Sequence, residues 1–279
     1  MKKAKVLISI ATYKEAENIV KLIKKIRFFS KNIKILIIND KSNDNTFFFL
    51  NKLSDKNLIF LERPTKLGLG TAHKLSMLYS IRYNYDFLIT MDGDFSHDPK
   101  YISRLLKKSG KNNFVIGSRF CQNGKSDYKG LRKVISKLGN IFAKKILSLK
   151  INEITTYYRV YSVNVLKKIP FDELNAQGYS LGVKIIWLMK KLNTKMIEIP
   201  IHFKDRNLGK SKIPKLQIFV SFFDVLHLKF KDIFLDQKFY IKRNTTYNFK
   251  IKCKICKKSF FSKFKKTYQC LVCNFKSDV

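Results

Sequence analysis

Short apolar runs that end in polar clusters constrain this chain more than any other feature. They occupy residues 6–10, 33–38, 58–61, 87–91 and 114–117, and each is the right length for one buried strand. Between them lie stretches with helical spacing. In 16–29, Ile19, Val20, Leu22, Ile23 and Ile26 share one face. Residues 70–83 and 99–108 read likewise, with Pro99 at a first helical turn. Alternation of this kind predicts an α/β domain built on a largely parallel sheet. In such sheets ligands lie beyond the carboxyl ends of the strands. Polar residues gather at those ends: 12–15, 39–44, 92–98 and Ser118-Arg119.

Asp92-Gly93-Asp94 follows the fourth run directly. Two carboxylates one residue apart at a strand end can share Mg2+ or Mn2+, hard cations that take oxygen ligands and bind substrate phosphates. Asp-Gly also makes ordinary turns, so the motif alone does not decide. Its neighbours add weight. Asp40 closes the second strand, and Tyr13 and Glu15 follow the first. Gly68-Leu69-Gly70 opens a helix with room for close backbone approach. Arg119 ends the fifth strand, and Arg206, Lys210 and Lys212 share with Gly209 a loop suited to closing over phosphates.

Past residue 128 the pattern changes. Residues 129–147 and 180–192 read as helices, 157–161 and 196–201 as strands. The expected organisation is an α/β domain over 1–212, a Phe-rich amphipathic segment over 213–243 and a separate module over 244–279. In that module Cys253-x-x-Cys256 and Cys270-x-x-Cys273 are separated by thirteen residues. Four thiolates so spaced read as a structural Zn2+ ribbon, whose metal supplies the folding energy that a tail without a core lacks. Such a site implies a reducing compartment. Its Lys and aromatic residues suit a protein, nucleic-acid or lipid partner; a stabilising appendage is the plainer alternative. Cys121 stands alone and is expected to be inert.

Apolar residues make up 45% of the chain, enough to bury a sizeable core. The 57 Lys+Arg against 20 Asp+Glu give a formal charge of +37. Such a field attracts nucleic acid, anionic lipid or phosphorylated substrates, and the even spread of Lys does not choose among them. No run of about 18 uncharged apolar residues occurs, so no membrane span is expected. The first apolar run is too short for a secretory signal. Residues 213–235 either lie on a membrane surface, with Phe219, Phe222, Phe223, Leu226 and Phe230 among lipids, or pack on the domain.

The ordered motifs carry a resemblance. They are Ala11-Thr12-Tyr13-Lys14-Glu15, Asn39-Asp40-Lys41-Ser42-Asn43-Asp44, Gly68-Leu69-Gly70, Met91-Asp92-Gly93-Asp94-Phe95-Ser96-His97, Gly117-Ser118-Arg119-Phe120 and Arg206-Asn207-Leu208-Gly209-Lys210-Ser211-Lys212. As a set, from about residue 5 to about 214, the chain resembles the family 2 glycosyltransferases of GT-A fold, nearest their dolichol-phosphate mannosyltransferase-like, polyprenyl-phosphate branch. The resemblance implies a nucleotide-sugar donor (GDP-mannose or a UDP-sugar), a polyprenyl- or dolichyl-phosphate acceptor, inverting transfer and a divalent metal. It implies that Tyr13, Glu15, Asp40 and Asp92 hold the nucleotide, and that Asp92 and Asp94 bind Mg2+ or Mn2+ with Ser96 near. It implies that Arg119, Arg132, Arg206 and Lys212 hold the donor diphosphate and acceptor phosphate, with Asp94, Arg119 and Arg206 nearest the chemistry. A lipid acceptor further implies a cytoplasmic enzyme peripheral to an anionic membrane face.

Some positions depart from the family pattern. Ala11 replaces Pro and Asn39 replaces Asp. In Glu153-Ile154-Thr155-Thr156-Tyr157-Tyr158-Arg159, the family's Ser and Gly are missing, and Lys184 stands where the family has Glu. Tyr157 and Lys184 predict a shifted sugar or acceptor. A surface polysaccharide or other glycan is the alternative acceptor. A nucleic-acid-binding reading rests on charge and the ribbon, and it leaves Asp92, Asp94 and the Gly68 turn unexplained.

Overall fold

The computed structural model describes residues 4–171, 174, 178–205, 216–234, 249–252 and 259–262. The first strands and helices alternate as the sequence predicts: β1 (Val6–Thr12), α1 (Ala16–Phe29), β2 (Lys34–Asn39), α2 (Thr46–Asn51), β3 (Leu58–Glu62), α3 (Leu69–Arg82) and β4 (Phe87–Asp92). A 3-10 turn over Pro99–Tyr101 then leads into α4 (Ile102–Lys107) and β5 (Asn113–Ser118). The expected single helix over 99–108 is thus split. The Asp98 carboxylate accepts from Lys100 N at 3.1 Å and caps the tight first turn.

The chain continues through β6 (Lys125–Ser126), α5 (Gly130–Ile146), β7 (Arg159–Ser162), α6 (Val163–Leu166), α7 (Gly178–Lys191), β8 (Lys195–Pro200), β9 (His202–Phe203) and α8 (Leu216–Phe234). Seven strands form one sheet in the order β3-β2-β1-β4-β7-β5-β8. All neighbours are parallel except β7, which is antiparallel to both β4 and β5. The strand expected over 157–161 begins only at Arg159, because Tyr157 and Tyr158 turn away to pack inside. Neither α2 nor the two-residue β6–β9 ladder was expected; both are too short to leave a periodic signal.

Central strands are mainly apolar because helices cover both faces of the sheet, with Ser9 and Thr90 as buried polar exceptions. Alternate residues serve opposite faces. Leu7, Leu36, Ile38, Leu88, Phe114 and Ile116 join α3, α7 and Trp187 in one buried cluster. Ile8, Ile10, Ile35, Ile37, Ile89, Met91 and Val115 join α1, Ile102 and Leu105 in the other.

The Phe-rich segment forms α8 and packs on the domain. Val225 and Leu228 are buried in the first cluster, and Asp232 accepts from Trp187 Nε1 at 2.8 Å and pairs with Lys191 Nζ at 2.6 Å. Its opposite side exposes Phe222, Phe223 and Phe230; the side chain of Phe219 lies outside the described residues. Among the described residues no helix is long and apolar enough to cross a membrane. β10 (Phe249–Lys252) and β11 (Ser259–Ser262) pair antiparallel, with Lys252 opposite Ser259. All four tail cysteines lie outside the described residues, as do Arg206 and Lys212.

Candidate active site

The carboxyl ends of β1, β2 and β4 lie side by side, because β1 pairs with both others in register (Thr12 with Asn39, Ala11 with Asp92). Asn39 is 1% exposed and acts as a hub. Its Oδ1 accepts from Thr12 Oγ1 at 3.1 Å and Ser42 Oγ at 2.7 Å, while its Nδ2 donates to Glu62 Oε1 at 3.2 Å. Ser42 Oγ in turn accepts from Lys14 N at 2.8 Å. An aspartate cannot donate to Glu62, so this departure from the family pattern follows from the acid facing it.

Asp40 is buried and pairs with the buried guanidinium of Arg63. It also accepts from Gly68 N at 2.8 Å. Arg63 donates to Gly68 O at 2.8 Å and Thr71 Oγ1 at 2.6 Å. The pair thereby clamps the turn before α3, where Gly68 adopts φ +88°, a conformation that favours glycine. Arg63 was missed in the sequence, although Glu62-Arg63 closes β3 as the other polar clusters close their strands. Glu15 Oε2 accepts from Asn18 Nδ2 at 2.9 Å, and Lys66 Nζ lies 4.5 Å from the centre of the Tyr13 ring.

At the end of β4, Asp92 is partly exposed, its side chain at 26%, while Asp94 is buried at 6%. Asp94 Oδ1 accepts from Ser96 N at 3.1 Å, closing a turn in which Phe95 has φ 63°. Ser96 is fully buried and its Oγ has no hydrogen-bond partner among the described residues. His97 Nδ1 accepts from Asp92 N at 2.9 Å, so its Nε2 carries the proton towards Thr156 Oγ1, 2.9 Å away. Burial pulls the His97 pKa down despite the neighbouring Asp92 and Asp94 charges, consistent with a neutral ring that fixes the turn. Among the described residues no group of three or more His, Cys, Asp or Glu could hold a metal ion. Two carboxylates and an unpartnered buried hydroxyl are not a complete protein cage. They fit a cation whose other ligands are substrate phosphate and water.

Arg119, at the end of β5, is held by Glu153. Its Nε and Nη2 each donate to that carboxylate at 2.8 Å, and Nη2 also donates to Thr155 Oγ1 at 2.6 Å. Glu153 is fully buried and further accepts from Thr155 N and Thr156 N, both at 3.1 Å. Burial pushes its carboxyl up, but the Arg119 charge and hydrogen bonds outweigh that and leave its pKa below the usual value. Nothing local to Arg119 or Glu153 in the sequence signals this pairing across thirty-four residues. Arg119 also lines a cavity of about 520 Å3 with Lys125, Lys133, Ser136, Lys137 and His202. His202 Nε2 lies 2.5 Å from Asp127 Oδ1 at its mouth. Arg132 is exposed and donates to Asp205 Oδ1 and Tyr128 OH, both at 3.0 Å, which ties α5 to the residues just after β9. Cys121 is half-buried and burial pushes its thiol pKa up, which agrees with an inert residue.

Packing explains the departure at Tyr157. The Tyr157 ring stacks on buried His73 at 3.9 Å and 11°. A Cβ on Gly182 would come within 3.1 Å of Arg159 Nη2 and 3.3 Å of Tyr157 OH. Glycine at 182 therefore leaves the space that Tyr157 fills. Tyr157 is 2% exposed and is a packed residue that does not face solvent. Lys184 is half-buried on α7.

The mostly parallel sheet, with acidic residues at the ends of β2 and β4, has the GT-A class of fold. Solved structures of glucosyl-3-phosphoglycerate synthase from Mycobacterium tuberculosis share it. One with Mn2+, UDP-glucose and phosphoglyceric acid has a TM-score of 0.59 at 13% identity over 80% of each chain. Another with UDP has a TM-score of 0.57 at 14% identity, covering 84% of this chain and 81% of that one. At such identity the likeness is one of fold.

The chain belongs to glycosyl transferase family 2, whose pattern matches residues 7–170. It is therefore a glycosyltransferase. It is 32% identical over 212 residues to the undecaprenyl-phosphate mannosyltransferase of Micrococcus luteus, covering 75% of this chain and 87% of that protein. It is 31% identical over 224 residues to the polyprenol monophosphomannose synthase of Mycolicibacterium smegmatis, covering 78% and 84%.

Proposed function

We propose that this protein transfers mannose from a nucleotide diphosphate donor to a polyprenyl phosphate, with inversion at the sugar carbon. The observation that carries the reading is the 31–32% identity to two enzymes named for that chemistry, spread over more than four fifths of their length. An acceptor phosphate oxygen attacks the anomeric carbon, the bond from that carbon to the donor diphosphate breaks, and the nucleoside diphosphate leaves. The acceptor is already an anion, so no strong general base is required.

In this reading Tyr13, Glu15 and Asp40 border the nucleotide. Asp92 and Asp94 would hold Mg2+ or Mn2+, which when bound offsets charge growing on the departing diphosphate. The basic cavity beside Arg119, with Lys133 and Lys137 on its α5 wall, suits the acceptor phosphate. Arg132, Arg206 and Lys212 would bind the donor diphosphate and the acceptor phosphate. We place the enzyme at the cytoplasmic face of a membrane as a peripheral protein. The module over 244–279 would fold around one Zn2+ held by Cys253, Cys256, Cys270 and Cys273, and could dock a protein partner.

The test is incubation of the purified chain with Mg2+ or Mn2+, GDP-mannose and undecaprenyl phosphate, with UDP-glucose and UDP-galactose in parallel. Mannosyl lipid is the expected product. Transfer only from a UDP-sugar would replace the donor. Transfer only to a soluble glycan would replace the acceptor.

A further inference from the structure

Helix α5 is amphipathic in the reverse sense. Its buried residues are Asn140 and Ala143, one polar and one small. Its outward side carries Leu131, Val134, Ile135, Leu138 and Ile141, exposed by 74, 51, 38, 59 and 40%. These positions recur at helical spacing, so they form one apolar stripe facing solvent. A helix that merely covers a sheet turns such a stripe inward. The stripe continues onto α8: Phe142, just beside it, stacks on Phe222 at 4.6 Å, and Phe223 next to it is 66% exposed.

The charges around the stripe have one sign. Between Gly130 and Ile146, α5 carries Arg132, Lys133, Lys137, Lys144 and Lys145 and no acid. An apolar stripe flanked by cations complements an anionic bilayer surface, where the apolar side chains enter the acyl boundary and the cations meet headgroups. Lys133, Ser136 and Lys137 of the same helix line the basic cavity beside Arg119. One helix thus presents a lipid-compatible stripe and a wall of an anion pocket.

We propose that the outward face of α5, extended by Phe222 and Phe223 of α8, docks the enzyme on an anionic lipid bilayer. Docking sets the pocket mouth at the headgroup level, where a lipid-linked phosphate is presented. This rests on the lipid-phosphate reading above for its purpose, but not for its test.

The experiment is co-flotation of the full chain with vesicles of phosphatidylcholine alone or mixed with phosphatidylglycerol. The chains compared are wild type, the double variant Leu131→Ser/Leu138→Ser, and a control, Phe48→Ser, which removes an exposed aromatic from α2. The expected result is salt-sensitive binding to phosphatidylglycerol vesicles, weakened at least about tenfold in the double variant and unchanged in the control. Transfer to acceptor embedded in vesicles should fall with it, while transfer to a short-chain, water-soluble isoprenyl phosphate should hold. The proposal is overturned if wild type does not bind, if the control loses as much as the double variant, or if the double variant binds as well as wild type. Conversion of a wild-type dimer to a monomer in the double variant overturns it too, because the stripe then faces a second copy. Vesicle binding without any glycosyl transfer would sink the functional reading and leave the docking face standing; transfer to short-chain acceptor without vesicle binding would do the reverse.

Discussion

Replacing Glu153 by Gln tests the most heavily bonded group at the candidate site. The carboxylate accepts two bonds from the Arg119 side chain, one from Arg119 N at 3.3 Å, and bonds from both backbone and hydroxyl of Thr155 and the backbone of Thr156. Gln keeps one acceptor oxygen, turns an NH2 towards the remaining donors and removes the charge facing the guanidinium. Removing one partner of a buried pair costs about 3–5 kcal/mol. For a chain of 279 residues each kcal/mol moves the melting temperature by about 2 °C, so a fall of roughly 8 °C is expected.

The pH dependence gives a second reading. The folded-state pKa of Glu153 lies below the ordinary 4.5. A depressed carboxylate contributes stability that is complete above about pH 4.5 and fades as pH drops through the folded value. The gap between wild type and Glu153→Gln should therefore be full near neutral pH and narrow below about pH 4.5. Calorimetric melts across that range measure it. A variant melting within about 1 °C of wild type at neutral pH, or a gap that stays constant into acid, would refute the account of Glu153 as the anchor of Arg119.

Asp94→Asn keeps an oxygen to accept Ser96 N but loses the anion; glycosyl transfer should fall by roughly a hundredfold or more with the melting temperature little changed, read by product formation and calorimetry. Asn39→Asp sets an acid against Glu62 Oε1, now 3.2 Å from the Asn39 amide, and should cost about 1–3 kcal/mol in denaturant melts; adding Glu62→Gln should recover most of it, and a double variant no better than the single would count against the hub. Zinc assayed by mass spectrometry should stand near one atom per chain and be lost in Cys256→Ser, while melting of the α/β domain is retained.

Much of this architecture is legible in the sequence because parallel strands covered on both faces leave near-continuous apolar runs, as at Ile35–Ile38 and, broken only by Thr90, Phe87–Met91. Asp92, Asp94 and Asp40 are legible for a related reason: polar residues directly after such runs must emerge at one sheet edge. What escapes is long-range or too short. The Arg63–Asp40 pair joins residues from neighbouring strands, and nothing local to either names the other. Tyr157, read as a change on the acceptor side, is understood only when His73 and Gly182 are seen around it. The α5 stripe has the spacing of any amphipathic helix, and only burial reveals that it faces outward.

The antiparallel insertion of β7 also sets an order of assembly during synthesis. Strands β3, β2, β1 and β4 have one another as neighbours once residue 92 has emerged, so the edge carrying Asp40 and Asp92 can close early. β5 cannot. Both of its partners, β7 and β8, lie later in the chain, and Phe114, Val115 and Ile116 wait with bare edges until residue 162 is made. The nascent chain thus has a window of more than forty residues in which apolar β5 is unpaired. Within that window, chaperone dependence and sensitivity to translation rate should concentrate.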